Sequence, residues 1–170
     1  MIYRIVKYGD PVLETPAEEV KEFGTPELRQ LVDDMFETMW SAKGIGLAAP
    51  QVALSKRLTV IDPSAGEDPN AKIVLINPVV VREEGLQTGE EGCLSIPGFR
   101  EQVTRAMNVK VRAQNIEGET FEKEGSELVA RAMLHEIDHL NGVLFLSRLS
   151  PLKRDLIRRK IRKLQKAGEW

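Results

Sequence analysis

The scarcity of soft metal ligands, and where they lie, restricts this fold more than any other feature of the sequence. The 170 residues include one cysteine and two histidines. Cys93 lies in the segment GCLS, and His135 and His139 lie in the segment HEIDH. A single metal site built from all three would require the fold to bring residue 93 against the segment that carries both histidines.

Length and composition favour one domain spanning residues 1–170. A chain of this size can bury about two-thirds of its unfolded surface, and 42% of its residues are hydrophobic. The lone cysteine makes no internal disulfide and the first residues lack an apolar signal segment, so we expect a cytoplasmic protein without a membrane segment. The net charge of −2 hides a basic segment, residues 151–166, in which eight Lys or Arg accompany one Asp.

Three segments are predicted to be helices. Thr25 can cap the first, and Pro26 suits its first position. Its apolar residues recur at helical spacing: Leu28, Leu31, Val32, Met35, Met39 and Trp40. Ser126 can cap the second helix, and Gly142 suits the left-handed position after its end. The apolar face of this second helix comprises Leu128, Val129, Ala132, Met133 and Leu140. The third helix, 151–167, begins at a proline.

Strands are predicted between the first two helices. Leu58–Ile61 and Ile73–Val81 are rich in Val and Ile, and the alternating residues 109–113 lead through Asn115–Gly118 towards Phe121, which is typical of a hairpin. This order of elements indicates an α+β fold, not the regular alternation of a doubly wound sheet. We expect antiparallel or mixed sheets packed around the central helix that carries both histidines, with one helix before it and a basic amphipathic helix after it.

The HEIDH segment has the spacing of a metal site. On a helix, His135 and His139 rise from one face about 5 to 6 Å apart at Cβ, close enough to share one cation. Glu136 lies one residue further round, where it can reach a water beside the cation and act as its general base. Two solvated surface histidines are the plainer alternative, which the rarity of histidine in this chain disfavours.

A catalytic cation also needs a third protein ligand and an open position. The metzincin pattern places a third histidine where Phe145 stands, and the only carboxylates after His139 are Asp155 and Glu169. The first lies in the basic segment and the second is next to last, so neither is attractive. Cys93 remains, although a small buried hydrophobe is its plainer role when it is considered alone. A Cys-His-His set accommodates Fe²⁺, Zn²⁺, Ni²⁺ or Co²⁺.

The segment GIGLAAPQV has two interpretations. Gly44, Gly46 and Ala49 fit a dinucleotide-binding fingerprint, and Asp62 lies near the position of a ribose-binding acid. That fingerprint requires a strand before it and a helix after it, whereas here a helical pattern precedes the segment and a strand follows it. We therefore favour a glycine turn that brings the backbone close to a ligand, with Gln51 directing its amide into a cleft.

Three segments together carry a resemblance to a known family. GIGLAAPQ, EGCLS and HEIDH, in this order and with these separations, resemble the signature motifs of peptide deformylase, and the likeness covers essentially the whole chain. The resemblance implies removal of the N-formyl group from the initiator methionine of nascent polypeptides, with formate as the second product. Leu134 departs from the family, in which the residue before the first histidine is often polar.

The resemblance also implies roles for individual residues. The cation, Fe²⁺ in the cell, would have three ligands: Cys93, His135 and His139. Glu136 would be catalytic, while Gln51 and the backbone N–H of Leu94 would hold the substrate oxygen. Substrates would be N-formylmethionyl nascent peptides.

Selectivity is expected from the space around these groups. The Gly46 backbone would form a tight space at the formyl hydrogen, and an apolar pocket for methionine would include Ile45, Leu128 and Ala132. Ordinary core packing explains those apolar residues about as well. Glu91 should point to the same side of an extended segment as Cys93, where it could orient a basic group or bind a ligand. A solvated charge is the plainer alternative for Glu91.

The basic C-terminal helix also has two interpretations. An apolar face is predicted from Leu152, Leu156, Ile157, Ile161 and Leu164, and arginines lie largely opposite it: Arg154, Arg158, Arg159 and Arg162. The plainer interpretation is a packed helix with a solvated outer face. The resemblance implies instead a contact with the ribosome, whose RNA presents dense negative charge, without recognition of a nucleic-acid sequence.

Two other classes of function compete with deformylation. A zinc metallopeptidase that cleaves peptide bonds would share Glu136 and both histidines, and only Cys93 and the GIGLAAPQ segment oppose it. A structural metal module would use the same three ligands, but such sites are closed by a fourth protein ligand, and no further Cys or His exists.

Overall fold

This computed structural model of the protein describes residues 1–170. Three α-helices and seven β-strands follow one another along the chain, with short 3₁₀ turns at Pro11–Glu14, Ala49–Val52 and Phe145–Arg148. The elements are, in order, α1 (Pro26–Ser41), β1 (Gly46–Ala48), β2 (Leu58–Ile61), β3 (Ile73–Glu84), β4 (Gln87–Cys93), β5 (Ile96–Arg105), β6 (Asn108–Gln114), β7 (Thr120–Ser126), α2 (Glu127–Leu140) and α3 (Pro151–Lys166). Every pair of these strands is antiparallel, so the predicted α+β class with antiparallel sheets is confirmed.

The start of α1 follows the predicted cap. Thr25 Oγ1 accepts a hydrogen bond of 3.1 Å from the Leu28 N–H, and Pro26 occupies the first turn, where its missing N–H leaves no broken bond. Five of the six predicted apolar residues are buried: Leu28, Leu31, Val32, Met35 and Met39. Trp40 lies at the edge of this face, and its indole N–H donates to Asp62 at 2.9 Å.

The larger sheet has five strands in the order β1-β2-β3-β6-β7. The predicted strand Leu58–Ile61 is confirmed, and the predicted hairpin corresponds to β6 and β7. Strand β3 continues to Glu84, beyond the predicted end at Val81. The extra residues are polar and exposed, but their backbone pairs with β6 as far as Glu84 opposite Asn108, so backbone pairing extends the strand beyond its apolar part.

The smaller sheet consists of β4 and β5 alone. An extended segment at residues 91–93 is predicted, but its pairing into a sheet is not, because QTGEEGC is rich in glycine and glutamate, which are depleted in strands. Pairing is regular from Gln87 opposite Arg105 to Gly92 opposite Arg100, and the register then shifts between Gly92 and Cys93. Cys93 therefore stands at the irregular end of this hairpin.

Helix α2 packs one face against the larger sheet. Its residues Ala130, Met133 and Ile137 belong to a buried cluster with Val111 of β6 and Leu75 of β3. Ser126 has the predicted position at the start of α2, but the predicted hydrogen bond from the helix to its side chain is absent. Its hydroxyl pairs instead with Asn108 Oδ1 at 2.9 Å.

The end of α2 is fixed by more than the predicted glycine. Gly142 has a φ of +74°, as predicted, and a Cβ there would approach the Glu14 carbonyl to 2.9 Å. The Arg57 guanidinium also donates to the Leu140 carbonyl and to Asn141 Oδ1, both at 2.8 Å. These bonds satisfy terminal groups of the helix and fix the end that carries His139.

Helix α3 begins with the Ser150 side chain accepting from the Lys153 N–H at 3.3 Å. Its covered face is narrower than predicted, because only Ile157 and Ile161 are buried, against Leu13 and Phe145. Two of the predicted apolar positions lie at the surface, namely Leu152 and Leu156. None of the three helices is long and apolar enough to cross a bilayer.

Candidate metal and active site

Cys93, His135 and His139 converge on one point between the smaller sheet and α2. One potential ligand atom from each residue lies within 4.8 Å of the other two. The Cys93 sulfur is 3.3 Å from Nε2 of His139, and the two imidazole centroids are 4.9 Å apart. The structure thus brings together the three ligands proposed from sequence.

Local structure explains this convergence. The four-residue separation of the histidines places both rings on one face of α2. Cys93, the last residue of β4, lies opposite that face, next to the register shift at Gly92 and just before the turn at residues 94–95. Both rings are buried, and the cysteine is half-buried.

Glu91 sets the orientation of one imidazole. His135 Nδ1 lies 2.8 Å from Glu91 Oε1, so Nε2 is the ring nitrogen that remains available to bind a cation. A histidine ligand is commonly oriented in this way, by a carboxylate on its other nitrogen. Glu91 itself is buried, so the solvated-charge interpretation is wrong, whereas orientation of a basic group describes its contacts.

Two arginines hold the Glu91 carboxylate. Arg105 donates through Nε and Nη2, both at 2.8 Å, and Arg131 donates through Nη1 at 2.6 Å. Burial alone would raise the pKa of Glu91, but the hydrogen bonds from Arg105 and His135 hold it far below its usual value. The carboxylate therefore stays charged and keeps His135 in one orientation.

Sequence reasoning missed the two arginines. Arg131 did offer a local signal, because it lies four residues before His135 on the same helix and so shares its face. Arg105 offered none, since its approach to Glu91 depends on how β4 and β5 pack against α2.

Glu136 lies beside the ligands in a nearly closed space. It is 4% exposed, and its buried Oε1 has no hydrogen-bond partner in the protein. Burial raises the pKa of Glu136 to about 7. A carboxyl group with such a pKa can both accept and release a proton near neutral pH.

Gly46 closes the space next to Glu136. A Cβ atom built on Gly46 would stand 2.5 Å from Glu136 Oε2, too close for any side chain. The tight space predicted at Gly46 is therefore present, and it lies against the proposed general base.

Two polar groups lie next to Cys93, the Gln51 side chain in space and the Leu94 N–H along the chain. Gln51 is buried, and its Oε1 accepts from the Ala48 N–H at 2.9 Å, which directs its amide nitrogen towards Ser95 Oγ at 3.1 Å and the Cys93 sulfur at 3.5 Å. The Leu94 N–H has no acceptor among the backbone carbonyls. Both donors can thus serve an oxygen atom placed next to the cysteine.

A cavity of about 570 Å³ opens onto these groups. Its lining includes all five residues predicted to bind substrate: Ile45, Gly46, Glu91, Leu128 and Ala132. Leu128 is 49% exposed, so the core-packing alternative is wrong for it, whereas Ala132 is buried at the cavity wall. The cavity is large enough for an amino-acid side chain.

The dinucleotide alternative for GIGLAAPQV is wrong. Strand β1 begins at Gly46 inside the segment, and a short 3₁₀ turn and then β2 follow it, so no helix starts at the glycines. The Asp62 carboxylate is also occupied, because it accepts hydrogen bonds from the Trp40 side chain, from Ser64 and from the Gly66 N–H. It is fully buried and cannot bind a ribose.

The electrostatics of the ligand set suit a cation. Burial disfavours the charged form of His135, but contacts with Cys93 and Glu91 nevertheless hold its pKa well above the usual value. Burial and the nearby His135 hold the pKa of His139 well below the usual value, so that ring is neutral. Nδ1 of His139 is buried without a partner. The groups around His135 stabilise positive charge, which a bound cation can supply in place of the proton, and His139 is already in the neutral form that binds metals, so the residues fit a divalent cation.

Comparisons with known proteins agree with this geometry. The family model described as Polypeptide deformylase matches residues 2–155. A peptide deformylase of Acidobacterium capsulatum is 65% identical over 170 residues, covering 100% of this chain and 99% of that protein. A peptide deformylase of Thermodesulfovibrio yellowstonii is 48% identical over 161 residues, covering 95% of this chain and 97% of that protein. The crystal structure of a peptide deformylase from Legionella pneumophila superposes with a TM-score of 0.90 at 43% identity, covering 99% of this chain and 98% of that one. The resemblance inferred from the three motifs is confirmed, and the chain belongs to the polypeptide deformylase family.

Proposed function

We propose that this chain, an enzyme that removes the N-formyl group from nascent polypeptides, acts through one divalent cation held by Cys93, His135 and His139. The observation that carries this proposal is the approach of the three ligand atoms to within 4.8 Å of one another. The proposal extends to the helix α2, which would be the metal-binding element of the fold.

Glu136 is the proposed general base and acid. When bound, the cation supplies Lewis-acid chemistry, lowering the pKa of water and polarising the formyl oxygen. Glu136 takes a proton from the attacking water and returns it to the nitrogen of the leaving amine. Its raised pKa supports both steps, because a carboxyl group with a pKa of about 7 changes its protonation readily at neutral pH.

Gln51 and Leu94 would stabilise the negative charge that develops on the formyl oxygen. The Gln51 side-chain nitrogen lies 3.5 Å from the Cys93 sulfur, and the N–H of Leu94, the next residue along the chain, donates to no backbone carbonyl. A donor that is fixed before the reaction stabilises the transition state without reorganising, and removal of one such donor typically lowers kcat by about 10² to 10³.

The cavity supports a preference for formylmethionine. Ile45, Leu128 and Ala132 offer apolar surface to the methionine side chain. Gly46 lets the backbone of β1 lie against Glu136, where any side chain would collide with the carboxylate, and this close approach supports a narrow space that favours formyl over the larger acetyl.

Fe²⁺ is the proposed cation in the cell. One thiolate and two imidazoles also suit Zn²⁺, Ni²⁺ and Co²⁺, so the ligand set supports the class of metal and leaves several ions able to occupy the site. A location in the cytoplasm is proposed with it, since a free cysteine is kept reduced there. We also propose that residues 1–170 form one catalytic domain, because β4 and α2 both contribute ligands.

The defining test is the product that the enzyme releases. Metal-loaded protein given formyl-Met-Ala-Ser is expected to release formate and Met-Ala-Ser in equal amounts. Mass spectrometry of the peptide and an enzymatic assay for formate measure the two products. Cleavage between Met and Ala would instead support the metallopeptidase alternative. No turnover by the metal-loaded protein would favour a structural metal module.

The exposed basic side of α3 is the proposed contact with the ribosome. Arg159 and Arg162 are exposed there, whereas Arg158 is partly covered and donates to the Tyr8 hydroxyl at 3.2 Å. Reversal of both exposed charges, to Glu, should weaken cosedimentation with ribosomes and reduce its salt dependence, because each lost phosphate contact removes about 0.7 to 0.9 from the slope of log affinity against log salt.

A matched control for this experiment reverses two exposed lysines elsewhere, Lys21 and Lys56, and so makes the same change in net charge. Equal cosedimentation of both double variants at every salt concentration would contradict a contact through α3.

A further inference from the structure

A continuous series of charged hydrogen bonds connects a proposed metal ligand to the protein surface. It starts at His135, whose Nδ1 meets Glu91, and passes from Glu91 to the Nε and Nη2 atoms of Arg105. Arg105 then uses its remaining terminal nitrogen, Nη1, to donate to Asp138 Oδ2 at 2.7 Å. Arg148 ends the series by donating to both Asp138 oxygens, at 2.8 and 3.1 Å. We call these five residues the His135–Arg148 relay.

Each arginine in the relay binds a carboxylate through two nitrogens. Such paired bonds fix the angle between guanidinium and carboxylate as well as their distance, so a change at one carboxylate shifts the next group. Arg105 donates to both Glu91 and Asp138, so a movement of its guanidinium towards one carboxylate lengthens its hydrogen bonds to the other.

Exposure changes abruptly along the relay. The side chains of Glu91 and Arg105 are each 4% exposed and that of Asp138 is 11%, whereas that of Arg148 is 48% exposed. Arg148 closes the 3₁₀ turn Phe145–Arg148, which leads into α3. The only strongly solvated member therefore belongs to the C-terminal part of the chain, not to the hairpin or to α2.

Removal of Arg148 would leave Asp138 with Arg105 as its only partner. Asp138 Oδ1 would then be unsatisfied in a largely buried position, which is unfavourable for a charged group. The shared Arg105 could move towards Asp138 to compensate, and its bonds to Glu91 would lengthen. Glu91 would in turn hold His135 less firmly. Asp138 is also the chain neighbour of His139, so both proposed histidine ligands are affected.

We propose that Arg148 is a positioning residue that tightens cation binding by fixing the orientation of His135 through the relay. The inference rests on the proposed function, because it requires His135 to be a ligand. Arg148 lies 13 positions after His135 along the chain, in a 3₁₀ turn that does not line the active-site cavity.

The test measures cation affinity apart from catalysis. The Co²⁺-loaded protein is titrated with a chromophoric chelator, and the dissociation constant is compared between the wild type and Arg148→Gln. We expect a rise of roughly 10-fold, the lower end of what outer partners of a metal ligand typically contribute. The visible absorption bands of bound Co²⁺ should also shift, because they report ligand geometry. Arg148→Lys, which keeps the positive charge but cannot donate through two nitrogens to both Asp138 oxygens, should raise the dissociation constant less.

Arg159→Gln is the matched control, since it removes the same group from an exposed position of α3 outside the relay. The two substitutions should also be combined with Glu91→Gln, which interrupts the relay at His135. In that background Arg148→Gln should change the dissociation constant less than about twofold, because coupled residues are not additive.

The outcomes separate the two levels of the proposal. Equal dissociation constants and spectra for Arg148→Gln and Arg159→Gln, or full additivity with Glu91→Gln, would refute the relay while leaving the metal site intact. A lower urea midpoint for the metal-free Arg148→Gln protein with unchanged Co²⁺ affinity would equally reduce Arg148 to a structural role. A wild-type protein that binds no Co²⁺ would instead refute the ligand set on which the proposed function depends.

Discussion

Replacement of Glu136 by glutamine is expected to lower kcat for formyl-Met-Ala-Ser by about 10² to 10⁴, the range typical of a general acid–base group. Glutamine has the same shape but cannot take a proton from water or return it to the leaving amine. The effect should fall on kcat more than on KM, because the proposed role of Glu136 is to transfer protons that move only in the transition state. Initial rates of formate release measure both parameters.

The control for this substitution is Glu83→Gln, which changes an exposed carboxylate on β3. It should retain wild-type kinetics. Metal content must also be measured, since Glu136 lies next to His135 in the chain. A Glu136→Gln protein that keeps its cation and more than about a tenth of the wild-type kcat would contradict the assigned role.

The parts of the fold that could be predicted are those that local sequence determines. Helix α1 follows from Thr25, Pro26 and apolar residues at helical spacing, and all of these signals lie within one short stretch of the chain. Strand β2 and the hairpin β6–β7 follow from β-branched residues around turn residues. In each case short-range propensity and burial favour the same structure.

Prediction failed where packing over long distances decides the structure. Strand β4 contains few residues that favour a strand. The hairpin β4–β5 is formed by backbone pairing, which runs from Gln87 opposite Arg105 to Cys93 opposite Ile96. Glu91 looked like a surface charge because Glu90 stands beside it, yet two arginines from other elements neutralise it in the interior. Buried ionic groups require partners, and a single sequence does not reveal partners that are distant along the chain.

The candidate site could be assembled from sequence for a compositional reason. One cysteine and two histidines leave little choice of soft ligands, and the i, i+4 spacing already restricts the pair of imidazoles. The position of Glu136 against Gly46 could not be anticipated with the same detail. It depends on the approach of β1 to α2, which no local pattern records.

Replacement of Cys93 by serine should have the second large effect, on cation binding. A serine hydroxyl fills nearly the same space but stays protonated at neutral pH, whereas the thiolate is the form of cysteine that binds metals. Four-ligand structural zinc sites bind with apparent free energies of about 10 to 16 kcal/mol, so one ligand contributes roughly 3 kcal/mol. The dissociation constant for Zn²⁺ should therefore rise by about 100-fold or more.

The same substitution separates the cation's effect on stability from the effect of the side chain. Because the proposed ligands come from both β4 and α2, a cation should bind the folded chain better than the unfolded one, and at 100 times its dissociation constant it should add about 2.7 kcal/mol to the free energy of unfolding. Urea titrations should show this gain for the wild type with Zn²⁺ and little of it for Cys93→Ser. Without metal the two proteins should unfold at similar urea concentrations, since serine preserves the packing at Cys93. An equal Zn²⁺-dependent gain in both proteins would show that the sulfur is not a ligand, and the proposed site would then lack its third protein donor.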